Sequence, residues 1–348
     1  SKVKKYLKVL FLIFVPFIFV SCEADYEGVG DDTPDADPVV KSITLSISEA
    51  SLAVGQEITF QVLSDQNNII TSSCKFFVNG TEISGNKFKP GEPGEYSVNA
   101  TYKELTSNTE SFVATATELK DFKFNVLIED FTGAWCGYCT RVTYKLEQLK
   151  KTTSQLNVVA AHYGDALQYS KISEMTNAFG VSSYPHARLN RTTKWNETDA
   201  AVTSLFSTKA KAGVALESSI SGSTLTVKFQ AKFSETGTDM LYGLFLLEDD
   251  LLLDQRNYGD FGYGSADPLV DFKHEDVLRY SFTSPLGDNI PNDSSKAGSI
   301  FEKTLTYELP AAYDKENLKL VGFVTDGSKK SLNSRISDIG LTQTFEEL

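Results

Sequence analysis

The apolar and polar positions of the chain fall into four regimes. Residues 9–20 form an almost continuous apolar run behind Lys2, Lys4, Lys5 and Lys8. Over residues 39–118 the period is two: Ile43, Leu45 and Ile47 alternate with polar neighbours, as do Ile58, Phe60 and Val62 after Gly55. Side chains of a strand point alternately to opposite faces, so these are half-buried strands. Shorter runs at 75–78 and 96–102, set apart by turn formers such as Asn79-Gly80, predict an all-β sandwich for this region. The period changes at 119. An apolar strand at 124–131 leads to helical spacing at Val142, Leu146 and Leu149, then a buried strand at 156–161 and a second helix at 171–179. A short strand follows Tyr184-Pro185, and this alternation of strand and helix predicts an α/β domain over 119–212. From 213 to 348 a β pattern returns. Leu225, Val227, Phe229, Ala231 and Phe233 alternate strictly, and runs at 241–247 and 318–324 read as buried strands. The Tyr-, Gly- and Asp-rich stretch 257–292 between them reads as loops.

Charge and composition change this picture mainly at the N-terminus. A formal net charge of −13 argues against nucleic acid as a partner, because phosphates are bound by clustered Lys and Arg. The run at 9–20 is shorter than the roughly 20 apolar residues of a spanning helix and follows a basic segment, which predicts a secretory signal over 1–21. It ends in Phe19-Val20-Ser21-Cys22, which resembles the lipobox of bacterial lipoproteins and implies lipidation of Cys22. An uncleaved N-terminal anchor is the alternative. Residues 23–38 carry seven acids and no base, so 22–38 is expected to be a flexible acidic tether. Acids directly behind a lipidated cysteine also resemble a surface-export signal of Bacteroidetes-type lipoproteins. The expected location is therefore the cell envelope, lipid-anchored at the outer membrane, facing the periplasm or the cell surface.

The chain has four cysteines. With Cys22 given to lipid, Cys136 and Cys139 form one close pair, and Cys74 is left as a small core residue on a predicted strand. A Cys-x-x-Cys that opens a helix has a chemical reason. The first turn offers unpaired N–H groups and a partial positive charge, and both stabilise a thiolate, the attacking species in disulfide exchange. Cys136 is the expected nucleophile and Cys139, one turn on, the resolving thiol. Zinc sites share this spacing but need two further ligands, with only His162, His186 and His274 available among histidines, so no metal is expected.

Three further features surround the pair. FTGAWCGYC follows an apolar strand, Asp130 lies six residues before Cys136, and FGVSSYPHARLN places Pro185 46 residues after Cys139. As a set they resemble the thioredoxin superfamily over 119–212. The resemblance implies that Asp130 is a buried proton relay beneath the disulfide and that Pro185 is cis and packed beside it. It also implies that Trp135, Tyr138, Tyr184 and His186 contact an extended polypeptide substrate. Glu129 is the alternative acid, since adjacent strand residues face opposite sides. Thr140 and His186 depart from the pattern, which more often has proline and threonine there. His186 reads either as a group favouring the thiolate or as a solvated loop histidine.

VGQEITF, FFVNGTEISG and PGEYSVNATY resemble bacterial immunoglobulin-like domains over 39–118. The whole chain is similar to the 28-kilodalton outer-membrane family of Bacteroidetes-type lipoproteins, on IEDFTGAWCGYC, VSSYPHARLNR and FKHEDVLRYSFTSPLGDNI. That family implies an N-terminal anchor, a thioredoxin-like domain and a β-rich, sandwich-like C-terminal domain over 213–348. The expected function is a lipid-anchored thiol–disulfide oxidoreductase that acts on thiols or disulfides of exported proteins and needs no cofactor. The alternative is a surface binding or adhesion lipoprotein with a static disulfide. In it, Tyr258, Phe261, Tyr263, His274 and Arg279 either bind the partner or cap the β-domain's own core. Nothing in the sequence indicates an oligomeric state.

Overall fold

A computed structural model of the chain describes residues 39–116 and 118–348. The fold is mostly β-sheet and divides into two compact units between residues 117 and 118. The expectations for residues 1–38, lipidation of Cys22 included, fall outside the described residues. Among the described residues no helix is long and apolar enough to cross a membrane.

In the first unit the two-residue period is realised as two sheets. Ile43–Ile47 pairs antiparallel with Ile58–Ser64 in one, and Lys75–Val78, Gly94–Tyr102 and Glu110–Thr115 make the body of the other. Leu45, Ile58, Phe60 and Val62 meet Phe76, Val78, Val98 and Phe112 in one core, so each sheet buries the apolar half of its alternation. Cys74 packs against this core, its thiol donating to the Ile70 carbonyl at 3.3 Å, and burial pushes its pKa up.

The second unit is organised by a nine-stranded sheet. Its first half comes from β1 (Val126–Thr132), α1 (Cys139–Thr152), β2 (Leu156–His162), α2 (Ile172–Phe179), β3 (His186–Leu189), β4 (Thr193–Lys194) and α3 (Asp199–Thr203). The chain then runs through β5 (Ala212–Ser221), β6 (Thr224–Phe233), β7 (Leu241–Glu248), β8 (Val277–Ser281), β9 (Ile300–Glu308), β10 (Leu318–Thr325) and β11 (Ser331–Asp338). Strand order is β4-β3-β1-β2-β8-β7-β10-β11, with Asp288–Asn289 beside β7. β1 and β2 are parallel, and β3 returns antiparallel to β1.

β8 is the joint between the halves. It runs parallel to β2 where Ala160 meets Val277, and antiparallel to β7. The expected division at 212/213 therefore lies inside this unit, because strands from both sides of it share one sheet. β8 itself falls in the stretch read as loops.

The layers follow from the alternation of β1. Val126 and Ile128 point to one face and pack under Val142, Leu146 and Leu149 of α1. Leu127 and Phe131 point to the other and pack against Ile172, Met175 and Phe179 of α2, together with Phe245 of β7 and Phe323 of β10. The antiparallel sheet β5-β6-β9 covers the α1-side face of the distal strands, where Leu216, Val227 and Phe229 meet Leu244, Leu246 and Leu320. All ten residues of β6 alternate between half-buried and buried, as the sequence pattern required.

Candidate functional site

Cys136 and Cys139 form a disulfide across the mouth of α1. The turn before the helix closes by hydrogen bonds from Cys136 N to Gly133 O and from Cys139 N to Cys136 O, at 2.9 and 3.1 Å. Both cysteines are buried, with 5% and 1% of their surface exposed. Asp165 anchors the start of the turn: its Oδ2 accepts from Ala134 N and sits 2.7 Å from His162 Nδ1.

The two acids of β1 have opposite fates. Glu129 points to the α2 face, where it is fully buried in a bidentate pair with Arg191, Nη2 to Oε1 at 2.6 Å. The guanidinium lies over Phe323, 4.2 Å from the ring centre. Asp130 points to the α1 face. It is 3% exposed, and its Oδ1 has no hydrogen-bond partner. Burial, reinforced by the negative charge of Glu197, pushes its carboxyl up to about 7. A cavity of about 670 Å³ runs beside α1 and is lined by Asp130, Thr143, Glu147, Tyr263 and His274 among others. Thr143 in turn donates to Cys139 O at 3.2 Å, so the unpaired acid and the disulfide flank the same helix start.

Tyr184-Pro185 is cis. Tyr184 meets Trp135 edge-on at 5.3 Å and stacks on Tyr163 at 5.8 Å, while Trp135 Nε1 donates to Tyr163 O at 2.7 Å. Trp135, Tyr138 and Tyr163 are 45%, 51% and 40% exposed, so aromatic surface borders the disulfide. His186 differs from the solvated-loop reading. It opens β3, is buried edge-on against Phe131 at 5.9 Å, and its pKa is lowered by burial and by Lys194 and Arg188.

Residues the sequence did not bring to this site arrive from the C-terminal half. Gln255 Nε2 donates to Cys136 O at 3.1 Å, Arg256 N to Ala134 O at 2.8 Å and Tyr258 N to Gly137 O at 2.9 Å. The buried Thr140 hydroxyl donates to Asn257 Oδ1 at 3.0 Å. The Tyr258 ring lies directly on Gly137, where any side chain would come within 2.3 Å of it, and meets Tyr138 edge-on at 5.3 Å. Tyr263 packs on Tyr144 of α1, and His274 is buried, its pKa lowered to about 4 by burial and by His162. Tyr258 and Tyr263 thus cover the cysteine turn and its helix, not only the β core, whereas His274 packs on His162 of β2 at 4.9 Å. The one local hint was Thr140, a hydroxyl where proline is commoner, which lies 3.3 Å from Gly137 O of its own turn as well as 3.0 Å from Asn257 Oδ1.

Comparison with known proteins bears on this arrangement. Residues 172–343 match the family described as outer membrane protein Omp28. The match, over just under half of the chain, supports the likeness to the 28-kilodalton outer-membrane family read from the sequence, and with it a location at the outer membrane of the cell envelope. Among solved structures, HBP35 of Porphyromonas gingivalis superposes with a TM-score of 0.52 at 17% identity, over 63% of this chain and 76% of its own. At that identity the likeness is one of fold. A domain of the outer membrane lipoprotein Omp28 from Porphyromonas gingivalis aligns over 38% of this chain and 89% of its own, at 17% identity and a TM-score of 0.26. No curated protein matches the chain by sequence.

Proposed function

We propose that the chain is a lipid-anchored thiol–disulfide oxidoreductase of the cell envelope, acting on exported proteins through Cys136 and Cys139. Its β1-α1-β2-α2-β3-β4 segment is read as a thioredoxin-like core extended by β8, β7, β10 and β11, and the first unit as an immunoglobulin-like spacer. The observation that carries the reading is the cysteine pair across the start of α1 with an unpaired, buried Asp130 on the same face of the sheet.

Starting from the oxidised pair, a partner thiolate attacks Cys136 Sγ and Cys139 leaves as a thiolate, which is protonated. A second partner thiolate then attacks the partner's own sulfur in the mixed disulfide and frees Cys136. The partner is oxidised by two electrons and the pair reduced; the reverse sequence reduces a partner disulfide. The helix start favours the thiolate at Cys136. Asp130, with a pKa near 7, takes and returns the proton of the resolving thiol. Trp135, Tyr138, Tyr184 and Pro185 position the partner's chain.

Insulin reduction driven by dithiothreitol tests this. Catalysis by the wild type, lost in Cys136→Ser, supports the reading; an inactive wild type, or equal activity in the variant, overturns it. The burial of both cysteines favours a second reading, a surface binding lipoprotein with a closed disulfide, which predicts the inactive result.

A further inference from the structure

The oxidoreductase reading leaves unexplained why four consecutive residues of the C-terminal half bond to the cysteine turn. The segment 255–269 is closed at its base by reciprocal hydrogen bonds between Gln255 and Leu269, at 3.0 and 2.8 Å, and braced by an Arg256–Asp267 ion pair at 2.9 Å. From that base, Gln255, Arg256 and Tyr258 occupy the carbonyls of Cys136, Ala134 and Gly137. Asn257 is held at both ends of its amide: Oδ1 accepts from Thr140, and Nδ2 donates to Gly264 O and Ala266 O at 2.8 and 3.0 Å. Gln255, Asn257 and Thr140 are nearly inaccessible, whereas the Tyr258 ring, seated on Gly137, is 53% exposed. A buried polar clasp thus ends in an exposed aromatic plate over the residue that follows Cys136.

We propose that this strap is a gate on the disulfide, in which Thr140 and Asn257 are positioning residues that hold Tyr258 closed, and that the pair exchanges with a partner only when the strap lifts. The proposal rests on the oxidoreductase reading for its purpose, but its geometry and its test do not. It also accounts for Thr140: a proline there would fit the first helical turn but has no hydroxyl for Asn257.

The test follows reduction of the pair in the mature chain by dithiothreitol, alongside amide exchange at Arg256 and Tyr258. Losing the Thr140–Asn257 bond in Thr140→Val raises the reduction rate by about fivefold, the worth of one hydrogen bond, with faster exchange at those two amides. Thr140→Ser restores the wild-type rate. Tyr258→Ala accelerates reduction, and Tyr258→Phe, which keeps the ring on Gly137, does not. Unchanged rates in both Thr140→Val and Tyr258→Ala overturn the gate. So does acceleration that comes only with lost protection in β1 and β2, because the whole fold is then opening. Accelerated reduction with no insulin activity in any variant keeps the gate and sinks the oxidoreductase; insulin activity with unchanged rates does the opposite.

Discussion

The two faces of β1 carry acids one residue apart, and their surroundings differ in every respect that matters. On the α2 face Glu129 is matched by a planar guanidinium that forms two hydrogen bonds to it and stacks on Phe323. On the α1 face Asp130 is as deeply buried, with one oxygen unpartnered and a cavity beside it. A buried charge that is paired is part of the scaffold. One left unpaired costs stability and gains the power to change protonation near neutral pH. The site lies on the second face.

The largest way to break this contrast is to leave Glu129 unpaired as well. Arg191→Met strands a buried carboxylate and is expected to cost about 3–5 kcal/mol in chemical denaturation at pH 7. Asp130→Asn acts in the opposite sense. The folded pKa of Asp130 is raised, so the folded protein holds a proton the unfolded chain has lost. Its contribution falls as pH rises from about 4 to about 7 and stays low above that. The variant is therefore expected to be more stable than wild type at pH 8, by up to about 4 kcal/mol at 1.36 per unit, and equal to it near pH 3.5. Denaturation midpoints across that range check the sign. His186→Phe sharpens the comparison least. His186 packs with Phe131 on the α2 face and its folded pKa is lowered, so wild type loses stability as pH falls below about 6.5. The variant removes that slope and changes stability at pH 8 by under about 1 kcal/mol, since an apolar ring of similar shape replaces an unpartnered Nε2.

Much of this was legible before the structure, for local reasons. The 3.6 spacing of Val142, Leu146 and Leu149 specifies α1, and the two-residue period of β6 specifies its buried face. Asp130 and Glu129 were both candidates, and strand alternation sends them to opposite faces. Two features left no such mark. β8 is five residues long inside a Gly- and Asp-rich stretch, and its pairing with β2 joins Val277 to Ala160, far away in sequence. The strap works through backbone amides and the side chains of Gln255 and Asn257, which have no periodicity and bury themselves only against the folded cysteine turn. Local pattern reports elements. Contacts between elements distant in the chain appear only once the sheet has assembled.

An oxidoreductase needs its cysteine pair to open and close in service. Equilibrating the purified protein with defined ratios of reduced and oxidised glutathione or dithiothreitol, and counting free thiols, gives its reduction potential. An exchanging pair is expected between about −270 and −120 mV, the span of known thiol–disulfide oxidoreductases. A value below about −300 mV, the region of structural disulfides, would mark Cys136–Cys139 as a fixed staple and contradict the function proposed for it.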